Sequence, residues 1–518
     1  MRILQFNSYA DPVGGAEVYA LALTRELRRR GHDVGFFGTS PDREEKGKSL
    51  RVVRRPRYEP ALLTRDPAAR TALEETVREL RPEVIHVHNV YAMGVDVLEA
   101  LGAARVPVVQ TVHDFSLLCP NSWCVLADGT ICPGGAGAKC FQNDCKKNYP
   151  YDAEVALHTL LRQRVMSAIV DVAVCPSRYL AERTRASGAR DVRHLNYFID
   201  PIAAAPSEER AARQLIYIGR LEPEKGVEYL LEAMPLIRQR QPEVRLTVVG
   251  GGSLAEALQA RAARSNLGEA VTFVSHVPRE ELGRFYSTAT ACVVPSIWSE
   301  NSPLVAYECL FAGLPMIASR IGGIPELVEE GLAGFTFTPR DARDLAEKAL
   351  RLLELSPSDR ARLSTAMRQR AQDFRPEPHL ERVEDLYREV VRTGARGTPP
   401  MVPVNADLLA ILEQCGRERS HLAGLYHEHV EHIRRLEQGL SEVRSEREPV
   451  SGDGSRQLEA RLQELEDRQQ QLEDRQRRLE DRERGLGPHR EHAEALETMG
   501  PRELLSRLRR ALRRSRRA

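Results

Sequence analysis

Glu300 and Glu308 stand eight residues apart, just past the apolar run Val293-Val294-Pro295-Ser296. That run reads as a buried strand, and Ser302-Pro303 as an N-cap and first-turn proline that open a helix. Glu300 then falls in the loop at a strand's carboxyl end, with Glu308 roughly two turns into the helix. In open α/β sheets this crevice is where ligands bind. The backbone N–H groups of Ser302, Leu304 and Val305 suit a phosphate, while Pro303 has none to offer. An ionised carboxylate can accept from two vicinal hydroxyls at once. An anion site flanked by two hydroxyl acceptors asks for a nucleotide sugar.

Other residues fit the same chemistry. Arg220 follows Gly219 at a strand's end, and Lys225 lies in the loop before the next helix. Two fixed cations there would stabilise a departing diphosphate more in the transition state than in the ground state. The plain alternative is a surface Arg and Lys on a loop. Gly14-Gly15, between a strand and a helix, would let backbone approach an anion closely, or would simply turn the chain. The spacing is not G-x-G-x-x-G and no acidic residue ends the second strand, so a dinucleotide cofactor is rejected. No Asp-x-Asp ends a strand, so the expected chemistry needs no catalytic divalent metal. Nor is there an obvious carboxylate pair of the kind glycoside hydrolases use.

Taken in order, Gly14-Gly15-Ala16-Glu17, His86-Val-His88, Thr111-Val-His113-Asp114, Gly219-Arg220 with Lys225, Glu300 and Glu308, Gly313-Leu-Pro315 and Gly322-Gly-Ile-Pro-Glu326 resemble the signature of retaining GT-B glycosyltransferases of family 4. The resemblance covers residues 1–392. It implies that Glu300 contacts hydroxyls of the transferred sugar and Glu308 the ribose. It implies that His113 lies close to that sugar, although a histidine at a strand end could equally be a packed structural residue. His88 and Asn89 could face the acceptor. Family behaviour implies front-face attack with retention of configuration, where the protein positions rather than reacts.

The elements that would hold these residues alternate short apolar runs with helical patterns, the mark of parallel sheets covered on both faces. Strands are expected at 3–7, 33–37, 84–87, 106–111 and 171–174, and again at 214–219, 244–249, 271–274, 291–294 and 316–318. The fold expectation is α/β of GT-B type: two doubly wound Rossmann-like domains facing across a cleft, plus a helical appendage. An acceptor domain spans 1–200, with a cysteine-rich insertion at 116–150. A nucleotide-sugar domain spans 213–376, and a helix at 377–392 crosses back to the first domain.

Five of the nine cysteines, Cys119, Cys124, Cys132, Cys140 and Cys145, fall between 119 and 145. A cluster of this kind in a reducing compartment favours metal over disulfides, but no C-x2-C is present. Structural zinc, an iron–sulfur site and free or reversibly oxidised thiols all stay open. By resemblance to cysteine-bearing insertions in some family members, Cys119, Cys132, Cys140 and Cys145 are the candidate ligands, and the loop a candidate acceptor-side wall.

Past a linker and polar helix at 393–454, Leu458, Leu465, Leu472, Leu479 and Leu486 recur every seven residues. The other seam position holds Leu462, then Gln469, Gln476 and Glu483, so the heptad helix at 455–486 is a solvated single helix or a weak self-association element. The stretch 500–518 is a basic amphipathic helix with Leu504, Leu505, Leu508, Ala511 and Leu512 on one face. Eight arginines against one glutamate from 501 onward leave the rest of this +1 chain acidic. The tail suits an anionic membrane surface, or else a protein partner; it lacks aromatics for base stacking, so nucleic acid is not expected. No apolar run approaches the ~20 residues of a membrane span, and the start is a strand rather than a signal peptide. The expected location is cytoplasmic, peripheral on the inner membrane face.

These readings converge on a transferase moving a sugar from a nucleotide-diphosphate donor to a glycan or lipid-linked acceptor, in cell-surface polysaccharide synthesis. A GT-B sugar-nucleotide epimerase and a non-catalytic coiled-coil scaffold are the rivals.

Overall fold

The computed structural model describes residues 1–55, 66–120, 122–124, 126, 130, 132, 140, 152–201, 213–265 and 267–394. The heptad stretch, the basic tail and Cys145 lie outside the described residues.

Among the described residues eight strands form the first sheet: β1 (Arg2–Tyr9), β2 (Asp33–Ser40), β3 (Glu45–Lys46), β4 (Leu50–Arg54), β5 (Val84–Val87), β6 (Val108–Thr111), β7 (Val172–Cys175) and β8 (Val192–His194). Their order is β3-β4-β2-β1-β5-β6-β7-β8, parallel except for the β3–β4 pair. The second sheet holds β9 (Gln214–Ile218), β10 (Arg245–Val249), β11 (Val271–Val274), β12 (Ala291–Val294), β13 (Met316–Ser319) and β14 (Gly334–Phe337). It runs β11-β10-β9-β12-β13-β14, parallel throughout. Two doubly wound sheets are what the apolar periodicity implies. β3, β4, β8 and β14 are additions, at the sheet edges or, for β4, one strand in, where short runs give weak patterns. β6 begins at Val108 rather than at residue 106, because Pro107 has no N–H to give the ladder.

The direction of strand order reverses at β1/β5 in the first sheet and at β9/β12 in the second. Such switch points open a crevice at the strands' carboxyl ends. Gly14-Gly15 follows β1, His88 follows β5, Arg220 follows β9 and Glu300 follows β12. Topology therefore gathers both sets of residues at the two crevices.

The last described helix, Pro376–Thr393, starts with proline in its first turn and buries Leu380, Val383, Leu386, Tyr387 and Val390 at helical spacing. It packs on the first domain: His379 Nε2 lies 2.8 Å from the Tyr19 hydroxyl, and Arg193 pairs with Glu389 at 2.6 Å. One buried apolar cluster runs from Ile3 and Leu23 through Tyr197 and Tyr307 to Tyr387, joining residues of both domains. Among the described residues no helix is long and apolar enough to cross a membrane.

Candidate active site

The loop after β12 carries Glu300. Its carboxylate takes a hydrogen bond from Lys225 Nζ at 2.5 Å and from Ser296 Oγ at 3.0 Å. Burial pushes the carboxyl up, but the Lys225 ammonium and the hydrogen bonds of Lys225 and Ser296 outweigh it. Glu300 is thus held below the ordinary glutamate value. Lys225 Nζ also lies 5.3 Å from the centre of the Trp298 ring, a cation–π contact.

Two glycines support this loop. Gly322 sits at φ +61, and a Cβ there would overlap the Glu300 carbonyl oxygen; Gly323 donates its N–H to that same oxygen at 2.7 Å. The Gly-Gly of the Gly322-Gly-Ile-Pro-Glu326 run is therefore a packing requirement of the loop that aims Glu300.

Glu308 lies on the helix Leu304–Ala312. Pro303 is the residue before this helix and Ser302 is not its cap: the Ser302 hydroxyl pairs with the Tyr307 hydroxyl at 2.5 Å. That pairing turns the side chain away from the N–H groups it would otherwise cap. Glu308 is consequently the helix's fifth residue, little more than one turn in, rather than two. Leu304 and Val305 begin the helix, so their N–H groups have no intrahelical partner. A Cβ built on Gly15 would lie 3.8 Å from Leu304 Cδ1. The starts of the helices Gly15–Arg29 and Leu304–Ala312, one from each domain, thus face each other.

Glu308 is buried and accepts from the Tyr286 hydroxyl at 2.6 Å and from Arg279 Nε at 3.2 Å. Here burial wins over both partners and raises the carboxyl above its ordinary value. Arg279 and Tyr286 were not apparent from the sequence; no spacing links residues 279 and 286 to 308, and only the fold joins them. Arg220 lies apart from this pair, its side chain 64% exposed and bound to Glu224 at 3.0 Å.

His113 belongs to a buried chain of hydrogen bonds in the first domain. His88 Nε2 is 2.6 Å from Gln5 Oε1, which can only accept, so that nitrogen carries the proton. Its bare Nδ1 then accepts from His113 Nε2 at 3.1 Å, and His113 Nδ1 accepts from the Tyr197 hydroxyl at 2.6 Å. Burial lowers His113 to about 3, keeping it neutral. Both ring nitrogens of His113 are therefore engaged within the first domain, and its carbonyl oxygen accepts from Asn301 Nδ2 at 2.7 Å.

Further contacts join the domains beside Glu300. Tyr179 donates to Ser299 Oγ at 3.0 Å. The helix Arg178–Ala186 has the N–H groups of Arg178 and Tyr179 bound by Glu326 of the second domain, both at 2.8 Å, while Ser177 takes the Leu180 N–H at 3.2 Å. One helix start is thus capped from both sides of the cleft.

Cys119, Cys124 and Cys132 are buried and Cys140 is half-buried. The Cys119 contact and burial hold the Cys124 thiol well above its ordinary value. Among the described residues no group of three or more His, Cys, Asp or Glu is placed to hold a metal ion.

Twin Rossmann-like domains with these residues at their facing switch points define the GT-B class. Residues 13–201 match Glycosyltransferase Family 4 and residues 201–370 match Glycosyl transferases group 1. Together the two matches run through most of the chain, and the protein belongs to this group of glycosyltransferases. It is 34% identical over 202 residues to a glycogen synthase of Mycobacterium tuberculosis, covering 39% of this chain and 48% of that one. The chain thus spans about half the length of that relative. It is 28% identical to a D-inositol 3-phosphate glycosyltransferase of Kribbella flavida, covering 74% of this chain and 92% of that one. In fold it is similar to a sucrose-phosphate synthase of Thermosynechococcus elongatus, with a TM-score of 0.55, 24% identity, and coverage of 76% and 99%.

Proposed function

We propose that this protein transfers a hexose-type sugar from a nucleotide-diphosphate donor to a glycan or lipid-linked acceptor, with retention of configuration, in cell-surface polysaccharide synthesis. One observation carries the reading: Glu300 and Glu308 flank a helix start that faces Gly14-Gly15 across the cleft. The relatives' names, which describe glycosyl transfer to different acceptors, support the class of reaction.

In this reading the N–H groups of Ser302, Leu304 and Val305, with Gly14 and Gly15 opposite, receive the diphosphate. Lys225 has three N–H donors, so it can hold Glu300 and still reach a phosphate oxygen. Arg220 on the rim adds a second cation, and the pair does the electrostatic work without a catalytic metal. Glu300 takes sugar hydroxyls, Glu308 the ribose, and neutral His113 shapes the wall beside the reaction centre. Thermal unfolding with a panel of nucleotide sugars tests this directly. A true donor at 100 times its Kd adds about 2.7 kcal/mol of stability. No stabilisation by any of them defeats the donor reading, and turnover of donor to an epimer without acceptor establishes the epimerase instead.

Two accompanying proposals concern regions largely outside the described residues. Cys119, Cys132, Cys140 and Cys145 are proposed to hold a structural zinc. The basic tail is proposed to bind anionic lipid and keep the protein on the inner membrane face, with weak self-association through the heptad helix. Deleting 501–518 should release the protein from anionic vesicles while sparing activity on a water-soluble acceptor; unchanged sedimentation with vesicles assigns the tail to a protein partner.

A further inference from the structure

The chain has two tryptophans, and they meet. Trp123 of the first domain lies edge-to-face with Trp298 of the second, ring centroids 6.3 Å apart. Trp298 is two residues before Glu300 and carries Lys225 on its ring. Trp123 is 41% exposed. It therefore keeps solvent-accessible surface next to Trp298, the residue that carries Lys225.

The backbone around Trp123 is unusual. Ser122 and Cys124, its two neighbours, both sit in the left-handed region, at φ 60 and 51. Non-glycine residues persist there only when their surroundings over-determine them, and such residues cluster at functional sites. The surroundings here are visible. Ser122 N–H donates to the Cys119 carbonyl at 2.9 Å, and Cys132 N–H to the Cys124 carbonyl at 2.8 Å, with Cys124 fully buried beneath. Arg183 then binds the Cys132 carbonyl at 2.7 Å and the Tyr179 hydroxyl at 3.1 Å. Tyr179 in turn donates to Ser299, the residue between Trp298 and Glu300. A continuous set of bonds ties the cysteine segment to the second domain and sets where Trp123 stands.

We propose that Trp123 is a stacking platform for a pyranose ring of the acceptor, so that the acceptor presents a carbohydrate, not a bare lipid or simple polyol, at the site of transfer. The C–H bonds on a pyranose face are weakly positive and match the negative face of an indole. An aromatic side chain has few torsions to lose, so a fixed one binds at low entropic cost. The platform belongs to the first domain, opposite the residues assigned to the donor. This inference rests on the transferase reading and names its acceptor class.

Because both tryptophans stand at this one place, intrinsic fluorescence of the full chain reports it. Maltotriose, mannotriose, galactotriose and chitotriose are titrated, with glycerol as the alcohol that has no ring. At least one trisaccharide should shift the emission saturably and glycerol should not. Trp123→Ala should abolish the shift and raise KM for that sugar as acceptor at least tenfold. It should leave the Kd for UDP-glucose or GDP-mannose, measured by calorimetry, unchanged. Trp123→Phe, which keeps a π face, should retain binding within a few-fold, separating loss of stacking from loss of fold. If no trisaccharide moves the emission, or Trp123→Ala leaves KM unaltered, the platform is wrong. Sugar binding at Trp123 in a protein that binds no nucleotide sugar would uphold the platform and overturn the transferase reading.

Discussion

Glu300 and Glu308 share a chemistry and differ in surroundings. Glu300 has an ammonium 2.5 Å away, which outweighs its burial and keeps it ionised. Glu308 faces a guanidinium that is 41% exposed and a neutral hydroxyl, so burial prevails and its carboxyl is raised. Glu308→Ala should weaken nucleotide binding by roughly 10- to 100-fold, about 1.5–3 kcal/mol for a hydrogen bond to a charge. Glu300→Ala should instead lower turnover by about 10²–10³ with a smaller effect on nucleotide Kd. Calorimetry and initial rates separate the two, and equal small effects would sink the assignment. Only the ionised carboxylate accepts from both ribose hydroxyls. Nucleotide affinity should therefore begin to fall, as pH drops, at a less acidic pH than an ordinary glutamate gives, and Glu308→Gln should remove that limb. The two carboxylates were legible in sequence because a strand, a loop and a helix start fix their spacing. The partners of Glu308 were not: Arg279 and Tyr286 reach it through space, and nothing local announces it.

At the scale of elements, the strands that carry the site were legible because parallel strands buried on both faces are continuous apolar runs. The edge strands β3 and β8, and β4 beside β3, were not, being short and partly polar. The helix Leu304–Ala312 was legible but its cap was not, because Ser302-Pro303 carries a capping signature whose hydroxyl is taken by Tyr307. In the cysteine segment, contact with Cys119 and burial raise the Cys124 thiol, while the proposed zinc set rests on the family resemblance alone. Protein purified without chelator should contain about one zinc per chain by mass spectrometry, with affinity falling as pH drops. A metal-free chain with all its thiols titrating freely would end that proposal.

The whole molecule keeps a set of histidines neutral in its centre. Burial lowers His86, His113 and His379 to about 3, and His88 well below its ordinary value. The unfolded chain takes up protons at these positions near pH 6.5 while the folded chain does not, so stability is complete above that pH and declines below it. At pH 5 each such histidine costs about 2 kcal/mol, from a gap of roughly 1.5 units. The unfolding midpoint should fall steeply between pH 7 and pH 5, and an unchanged midpoint over that range would contradict the buried network.

The helix Pro376–Thr393 has a consequence for anyone recombining such proteins. Its Tyr387 hydroxyl lies 2.5 Å from His86 Nδ1 and accepts from Gln5 at 3.3 Å, while His379 meets Tyr19. Though it follows the second sheet in sequence, the helix is chemically matched to the first. A chimera that exchanges donor halves by one cut near residue 205 would bring a foreign helix against His86 and Tyr19. Keeping the native lock takes two cuts, one on each side of the second sheet, so that the donor half is inserted as a cassette.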